Sequence, residues 1–74
     1  MTNLPQPIAI QTPYIALGQF LKLADVIASG GEAKNYLATE KVVVDGVVDQ
    51  RRGRKLYVGT VVETAGKTFI VVGS

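Results

Sequence analysis

VVVDGVV, at residues 42–48, decides the fold class of this 74-residue chain. β-Branched residues stand on both sides of Asp45 and Gly46, a pair that tolerates the positive φ angles of a tight hairpin turn. A second run of this kind, at residues 68–72, follows a turn predicted at residues 65–67. The second half of the chain is therefore predicted to form short, mostly antiparallel strands.

Two short helices are predicted before this hairpin. The first has its apolar residues at helical spacing on one face: Leu17, Phe20, Leu21 and Ala24. The second begins at SGGE, residues 29–32, where Ser29 and Glu32 can form a capping box. Its predicted core residues are Ala33, Tyr36 and Leu37. A short strand at residues 8–10 precedes both helices, so the sequence predicts an α+β domain with the helices on one side of the sheet.

The predicted domain spans residues 8–74, and residues 1–7 are expected to be a flexible leader because they contain two prolines and little apolar content. A hydrophobic fraction of 47% suits one compact core, and a chain of this length has too little surface to bury for a second. No apolar stretch approaches the roughly 18 residues of a membrane helix, so no membrane association is expected. We expect a cytoplasmic protein.

The residue types present exclude much of enzyme chemistry. Neither Cys nor His occurs, which removes thiolate nucleophiles, imidazole bases and the common zinc sites. Asp25, Asp45 and Asp49 show no spacing typical of a metal site or an acid/base pair. We therefore expect a protein that is not an enzyme, with no catalytic residues, no metal and no cofactor.

Positive charge is concentrated in one segment. The formal net charge is +2, but residues 51–55 contribute +4 and the rest of the chain sums to −2. Such a concentration is typical of phosphate recognition, although a basic cluster can also be a solvated loop. The candidate phosphate ligands in this segment are Arg51, Arg52, Arg54 and Lys55. Gly53 lies among them and would let the backbone approach a phosphate closely or turn sharply.

Other residues are candidates for the same surface. Lys22, Lys34 and Lys41 lie on or near the predicted helices, where each is either a nucleic-acid contact or a solvated lysine. Tyr57 follows the basic segment; we expect it to pack in the core, with stacking on an unpaired base as the alternative. The Ser29 turn is expected to cap its helix rather than to hold a phosphate, because Glu32 competes for the same N–H groups.

Four segments in order resemble an S4 RNA-binding domain: LGQFLK at residues 17–22, GGEAK at residues 30–34, VVVDG at residues 42–46 and RRGRKL at residues 51–56. The match runs from about residue 8 to about residue 72 and is most similar to the small stand-alone bacterial S4 proteins of the YaaA/YbcJ type. Each segment is weak alone, whereas their order and spacing are specific.

The resemblance implies the S4-like (αL) fold, in which two helices and the following turn present a basic surface to structured RNA. It also implies a role with ribosomal RNA and in ribosome assembly, with ribosomal or assembly proteins as further partners. Two departures stand out. Glu32 occupies a position where many family members have Arg or Lys, and Gly59-Thr60 replaces the family's frequent Gly-Asp. The first places negative charge where a phosphate ligand is expected.

Two other functions are compatible with the sequence. A protein-interaction adaptor could use the basic segment to meet an acidic partner, because complementary charge accelerates encounter. DNA binding in replication or repair would use the same phosphate contacts, and only the usual ligand of the family disfavours it.

Overall fold

The computed structural model of the protein describes residues 4–74, and residues 1–3 lie outside the described part. Its helical elements are α1 (Leu17–Leu23), a 3₁₀ turn (Gly30–Glu32) and α2 (Ala33–Thr39). The strands are β1 (Gln6–Ile10), β2 (Tyr14–Ala16), β3 (Val43–Val44), β4 (Val47–Val48), β5 (Lys55–Tyr57), β6 (Val61–Thr64) and β7 (Lys67–Gly73).

The larger sheet has the strand order β1-β7-β6-β3-β4. Strand β1 runs parallel to β7, and the other neighbours are antiparallel. Strands β2 and β5 form a separate antiparallel pair. These features confirm the predicted α+β class with a mostly antiparallel sheet.

Both predicted hairpins are present, and each closes through two residues with positive φ. Asp45 and Gly46 have φ angles of 48° and 85°, and Ala65 and Gly66 have φ angles of 55° and 72°. Such turns match the right-handed twist of the flanking strands, which explains why short loops suffice here. Asp45 also accepts a hydrogen bond at Oδ1 from the backbone N–H of Val61 at 2.9 Å, which fastens the first hairpin to β6.

Both helices contribute to one hydrophobic core with the inner face of the sheet. Phe20 of α1 packs edge-on against Phe69 of β7, with 5.9 Å between ring centroids and an interplanar angle of 83°. The core consists of Ile8, Ile10, Leu17, Phe20, Leu21, Ile27, Ala33, Leu37, Val42, Val44, Leu56, Val62, Phe69 and Val71. The core residues predicted for the helices are confirmed, although Ala24 and Tyr36 are only half-buried.

The first strand begins earlier than the sequence indicated. Gln6 and Pro7 pair with Phe69 and Ile70 in β1, so these two residues belong to the sheet rather than to a flexible leader. Proline is compatible with this place because β1 is an edge strand, where an outward-facing position needs no N–H donor. The part of the predicted leader at residues 1–3 lies outside the described residues.

Within residues 4–74, neither helix has the length and apolar content needed to cross a membrane.

Candidate nucleic-acid interface

The positively charged segment begins in a loop, residues 49–54, between β4 and β5, which we call the basic loop, and it ends at Lys55, the first residue of β5. Its entry is fixed by a hydrogen bond from the backbone N–H of Asp49 to the carbonyl oxygen of Val42, at 2.9 Å. Val42 directly precedes β3 and is fully buried. The hairpin therefore determines where the basic loop begins and holds Asp49 against the core.

Asp49 organises the arginines of the basic loop. Its side chain is only 6% exposed, yet it accepts four hydrogen bonds from Arg51 and Arg54. Arg51 donates to Oδ1 from its backbone N at 2.9 Å and from Nε at 3.1 Å, and to Oδ2 from Nη2 at 2.8 Å. Arg54 donates to Oδ2 from Nη1 at 2.8 Å. Planar, bidentate pairing of this kind fixes the orientation of a guanidinium group.

This pairing favours the ionised form of the Asp49 carboxyl. The hydrogen bonds from the Arg51 side chain hold the pKa of the Asp49 carboxyl well below its usual value of 3.8, although burial alone would raise it. The same hydrogen bond raises the pKa of the Arg51 guanidinium. The Asp49–Arg51 ion pair is therefore present near neutral pH.

Pairing with Asp49 leaves cationic surface available. The Arg51 side chain is 73% exposed and that of Arg54 is 32% exposed, and a guanidinium carries more N–H donors than these bonds use. Arg52 and Lys55 are also exposed, and within residues 4–74 neither forms a salt bridge. Adding Asp49 to residues 51–55 lowers the local charge from +4 to +3.

The backbone of the basic loop is attached to the start of α1. The carbonyl oxygens of Arg54 and Arg52 accept hydrogen bonds from the N–H groups of Leu17 and Gly18, at 2.8 and 2.9 Å. The first N–H groups of a helix have no partner within the helix, so the loop supplies the missing acceptors. A Cβ on Gly18 would lie 3.3 Å from the Cβ of Arg52 and 3.2 Å from that of Ala33, so an alanine here would require these neighbours to move by a few tenths of an ångström.

Strands β2 and β5 extend the surface beyond the basic loop. Leu56 and its partner Ile15 point toward the core, whereas Lys55 and Tyr57 are exposed on the other face. Tyr57 is 52% exposed, so the expectation that it packs in the core is wrong. The alternation along β5 explains this, because Leu56 takes the inner position and its two neighbours must face outward.

The candidate lysines lie in different places. Lys22 is exposed in the last turn of α1, one helical turn beyond Gly18, and Lys34 is exposed next to Ala33 at the start of α2. Gly18 packs between Ala33 and Arg52. The first turns of both helices therefore lie next to the basic loop.

Lys41 lines a different groove from the arginines. That groove also includes Glu40, Glu63 and Lys67, so it mixes both signs of charge. A second open groove is lined by Arg51, Gly53, Arg54, Lys55 and Tyr57. Lys41 is therefore the candidate whose surroundings differ most from those of the basic loop.

The capping box predicted at the second helix is present, with Glu32 as its carboxylate. One Glu32 oxygen accepts hydrogen bonds from the backbone N–H groups of Ala28 and Ser29, both at 3.1 Å. These N–H groups are thus already paired, which favours the capping interpretation over a phosphate-holding loop.

Sequence reasoning missed two residues of this surface. Asp49 shows no spacing typical of a metal or acid/base site, but its spacing from Arg51 and Arg54 is a usable signal for a local ion-pair cluster. Tyr14 carried no signal alone; its position became visible only through its pairing with Tyr57 across the small sheet. Residues 4–74 contain no group of three or more His, Cys, Asp or Glu side chains placed to hold a metal ion.

The fold and this surface define a class of small α+β domains in which two short helices and a β-hairpin support a basic loop. The S4 domain family matches residues 8–72, and the chain belongs to that family. This match confirms the resemblance seen in the four sequence segments.

Two bacterial relatives are similar over most of their length. A Bacillus subtilis (strain 168) protein named as a probable ribosome maturation protein, RlbA, is 63% identical over 60 residues, which cover 81% of this chain and 84% of the relative. An Escherichia coli (strain K12) protein named as a candidate RNA-binding protein, YbcJ, is 38% identical over 60 residues, covering 81% of this chain and 86% of the relative.

Proposed function

We propose that this S4 domain binds the phosphate backbone of structured RNA without catalysis, through Arg51, Arg52, Arg54 and Lys55, with Lys22 and Lys34 at the margins. Lys41, which lines the groove of mixed charge, is left outside the proposed surface. The observation that carries the proposal is the buried Asp49 carboxylate, which orients two arginines while their guanidinium groups remain accessible. A surface that is ordered before binding loses less entropy on association than a flexible basic segment.

This surface is better suited to binding structured RNA than to reading base edges in a groove of DNA. A-form helices hide their base edges in a deep major groove and display phosphates and 2′-hydroxyls, so proteins recognise them mainly by shape. A rigid set of cations matches a fixed spacing of phosphates. The chain contains no Cys and no His, so it has no side chain for thiolate or imidazole chemistry.

The finer proposal is that the RNA is ribosomal and that the domain acts in ribosome maturation in the bacterial cytoplasm, alongside ribosomal or assembly proteins. It is supported by the name of the Bacillus subtilis relative, whose identity of 63% extends over most of both chains. Crosslinking in cells followed by sequencing of the bound RNA tests it directly. Enrichment of messenger RNA instead of ribosomal RNA precursors would contradict it.

The phosphate-binding proposal is tested by measuring affinity for a labelled RNA hairpin at several salt concentrations. With about four phosphate contacts, the slope of log K against log salt should be roughly −3 to −4, by analogy with DNA duplexes. A slope near zero contradicts the proposal, as does unchanged binding when Arg51 and Arg52 are both replaced by Ala. A DNA duplex of the same sequence, used as competitor, should displace the RNA poorly; displacement at equal concentration favours DNA binding.

A charge-matched pair of variants separates local contact from general attraction. Arg52→Ala retains the Cβ beside Gly18 and the carbonyl that accepts from α1, so the loop should keep its shape. Lys67→Ala removes the same charge at the start of β7. We expect Arg52→Ala to reduce the magnitude of the salt slope by about one and Lys67→Ala to leave it unchanged. Equal effects of both changes would indicate attraction by net charge alone.

A further inference from the structure

Two tyrosines lie side by side on the surface next to the basic loop. Tyr14 and Tyr57 are register partners across β2 and β5, and their side chains remain 42% and 52% exposed. Their ring centroids are 5.9 Å apart, with an interplanar angle of 52°. Neither residue belongs to the core cluster, so packing within the domain does not explain their exposed aromatic surface.

Lys55 connects this tyrosine pair to the cationic surface. Its Nζ lies over the ring of Tyr14, 4.9 Å from the centroid, which is within the range of a cation–π contact. Tyr57 shares an open groove with Arg51, Gly53, Arg54 and Lys55. One aromatic side chain and four residues of the basic segment therefore face a common space.

We propose that Tyr57, supported by Tyr14, stacks on an unpaired nucleobase whose neighbouring phosphates contact the basic loop. The preferred ligand is then an RNA helix flanked by an unpaired nucleotide, rather than a continuous duplex. This inference rests on the proposed RNA binding and adds a specificity-determining subsite to it.

The chemistry of the groove favours this ligand. Phosphate alone needs only the arginines and Lys55, whereas an exposed aromatic ring contributes when a flat, apolar partner covers it. Bases within a duplex are already stacked on their neighbours and cannot reach a protein ring, while unpaired bases in RNA are commonly stacked on aromatic side chains. The contact accepts any base, because every base has a π face.

The test compares two RNA hairpins with the same stem, one blunt and one carrying a short single-stranded extension. The wild-type protein should bind the extended hairpin about 5- to 150-fold more tightly, as expected from about 1–3 kcal/mol for one stacked base. Tyr57→Leu should remove most of this preference, so that the two hairpins bind with similar affinity. Tyr57→Phe retains the ring and should retain the preference.

Fluorescence provides a second readout. The chain has three tyrosines and no tryptophan, and the hydroxyl of Tyr36 is engaged with Thr64 at 2.7 Å on another part of the domain. Binding of the extended hairpin should therefore quench tyrosine emission more than binding of the blunt one, and this extra quenching should disappear in Tyr57→Leu.

The outcomes distinguish the two proposals. If both hairpins bind equally and with a steep salt slope, RNA binding stands and the stacking subsite is refuted. If neither hairpin binds, the proposed function itself fails. If Tyr57→Phe loses the preference as completely as Tyr57→Leu, the phenolic hydroxyl is responsible and stacking is also refuted.

Discussion

Replacing Asp49 with Asn tests the structural basis of the basic loop. The change preserves size and one acceptor oxygen but removes the negative charge that orients Arg51 and Arg54. Hydrogen bonds to charged groups contribute about 1.5–3 kcal/mol each, and breaking a fully buried ion pair costs about 3–5 kcal/mol. The arginines here are 73% and 32% exposed and can be rehydrated, so the larger figure does not apply. We expect the free energy of unfolding to fall by about 1.5–3 kcal/mol at neutral pH.

The effect of this substitution should depend on pH in a defined direction. The pKa of Asp49 is lowered in the folded protein, so its contribution to stability is complete above the ordinary value of 3.8 and is lost as the pH falls below it. Urea denaturation of wild type and Asp49→Asn at a series of pH values should give a constant difference from pH about 5 upward. The difference should shrink progressively in more acidic buffer.

Asp25→Asn is the matched control. Asp25 is exposed and, within residues 4–74, forms no salt bridge, and its φ of 62° is one that Asn also tolerates. Asp25→Asn should leave the free energy of unfolding nearly unchanged at neutral pH. A difference between wild type and Asp49→Asn that is independent of pH would refute the reasoning, because it would show that the carboxylate acts through shape and not through charge.

Substitutions at Gly18, Gly53 and Ala65 give three further predictions, the first with Gly31 as its control. Gly18→Ala should lower the free energy of unfolding in urea by about 1–3 kcal/mol, because the added Cβ would crowd Arg52. Gly31→Ala should not, because the nearest atom to its added Cβ is 3.9 Å away, and equal effects would contradict the crowding. Gly53→Ala should leave the free energy of unfolding unchanged or higher, because no atom lies within 4 Å of the added Cβ and φ is not in the left-handed range. It should weaken RNA binding if a phosphate approaches this backbone, and unchanged affinity argues against such an approach. Ala65→Gly should raise the denaturation midpoint, because φ of 55° is strained for alanine; a lower midpoint would contradict this.

Local residue patterns were sufficient to predict the two hairpins and the two helices. The turn at Asp45 and Gly46 needs only two residues that accept positive φ between β-branched runs, and the capping box needs only Ser29 and Glu32 at the correct spacing. The parallel pairing of β1 with β7 joins the two ends of the described chain. No local pattern encodes that contact, which is why Gln6 and Pro7 were assigned to a leader.

The candidate surface was predictable in part. The charge of residues 51–55 is visible in the sequence, and the four-segment resemblance gave the family. The exposure of Tyr57 depends on β5, a three-residue strand that the sequence analysis does not predict. Once the strand forms, Leu56 and its partner Ile15 share the inner face, and Tyr57 faces outward by alternation.

Asp49 shows why net charge is an incomplete measure of a candidate phosphate-binding surface. It lowers the charge of the loop by one unit. In water, the attraction between one pair of opposite charges at close range contributes about 1 kcal/mol. Ordering the backbone of even one flexible residue costs about 1–2 kcal/mol, and the loop at residues 49–54 has six. Asp49 already holds Arg51 and Arg54 in place in the protein alone, so under the proposed function part of that larger cost is avoided at binding. Asp49→Asn should therefore weaken RNA binding even though it makes the surface more positive, and tighter binding would show that charge outweighs order.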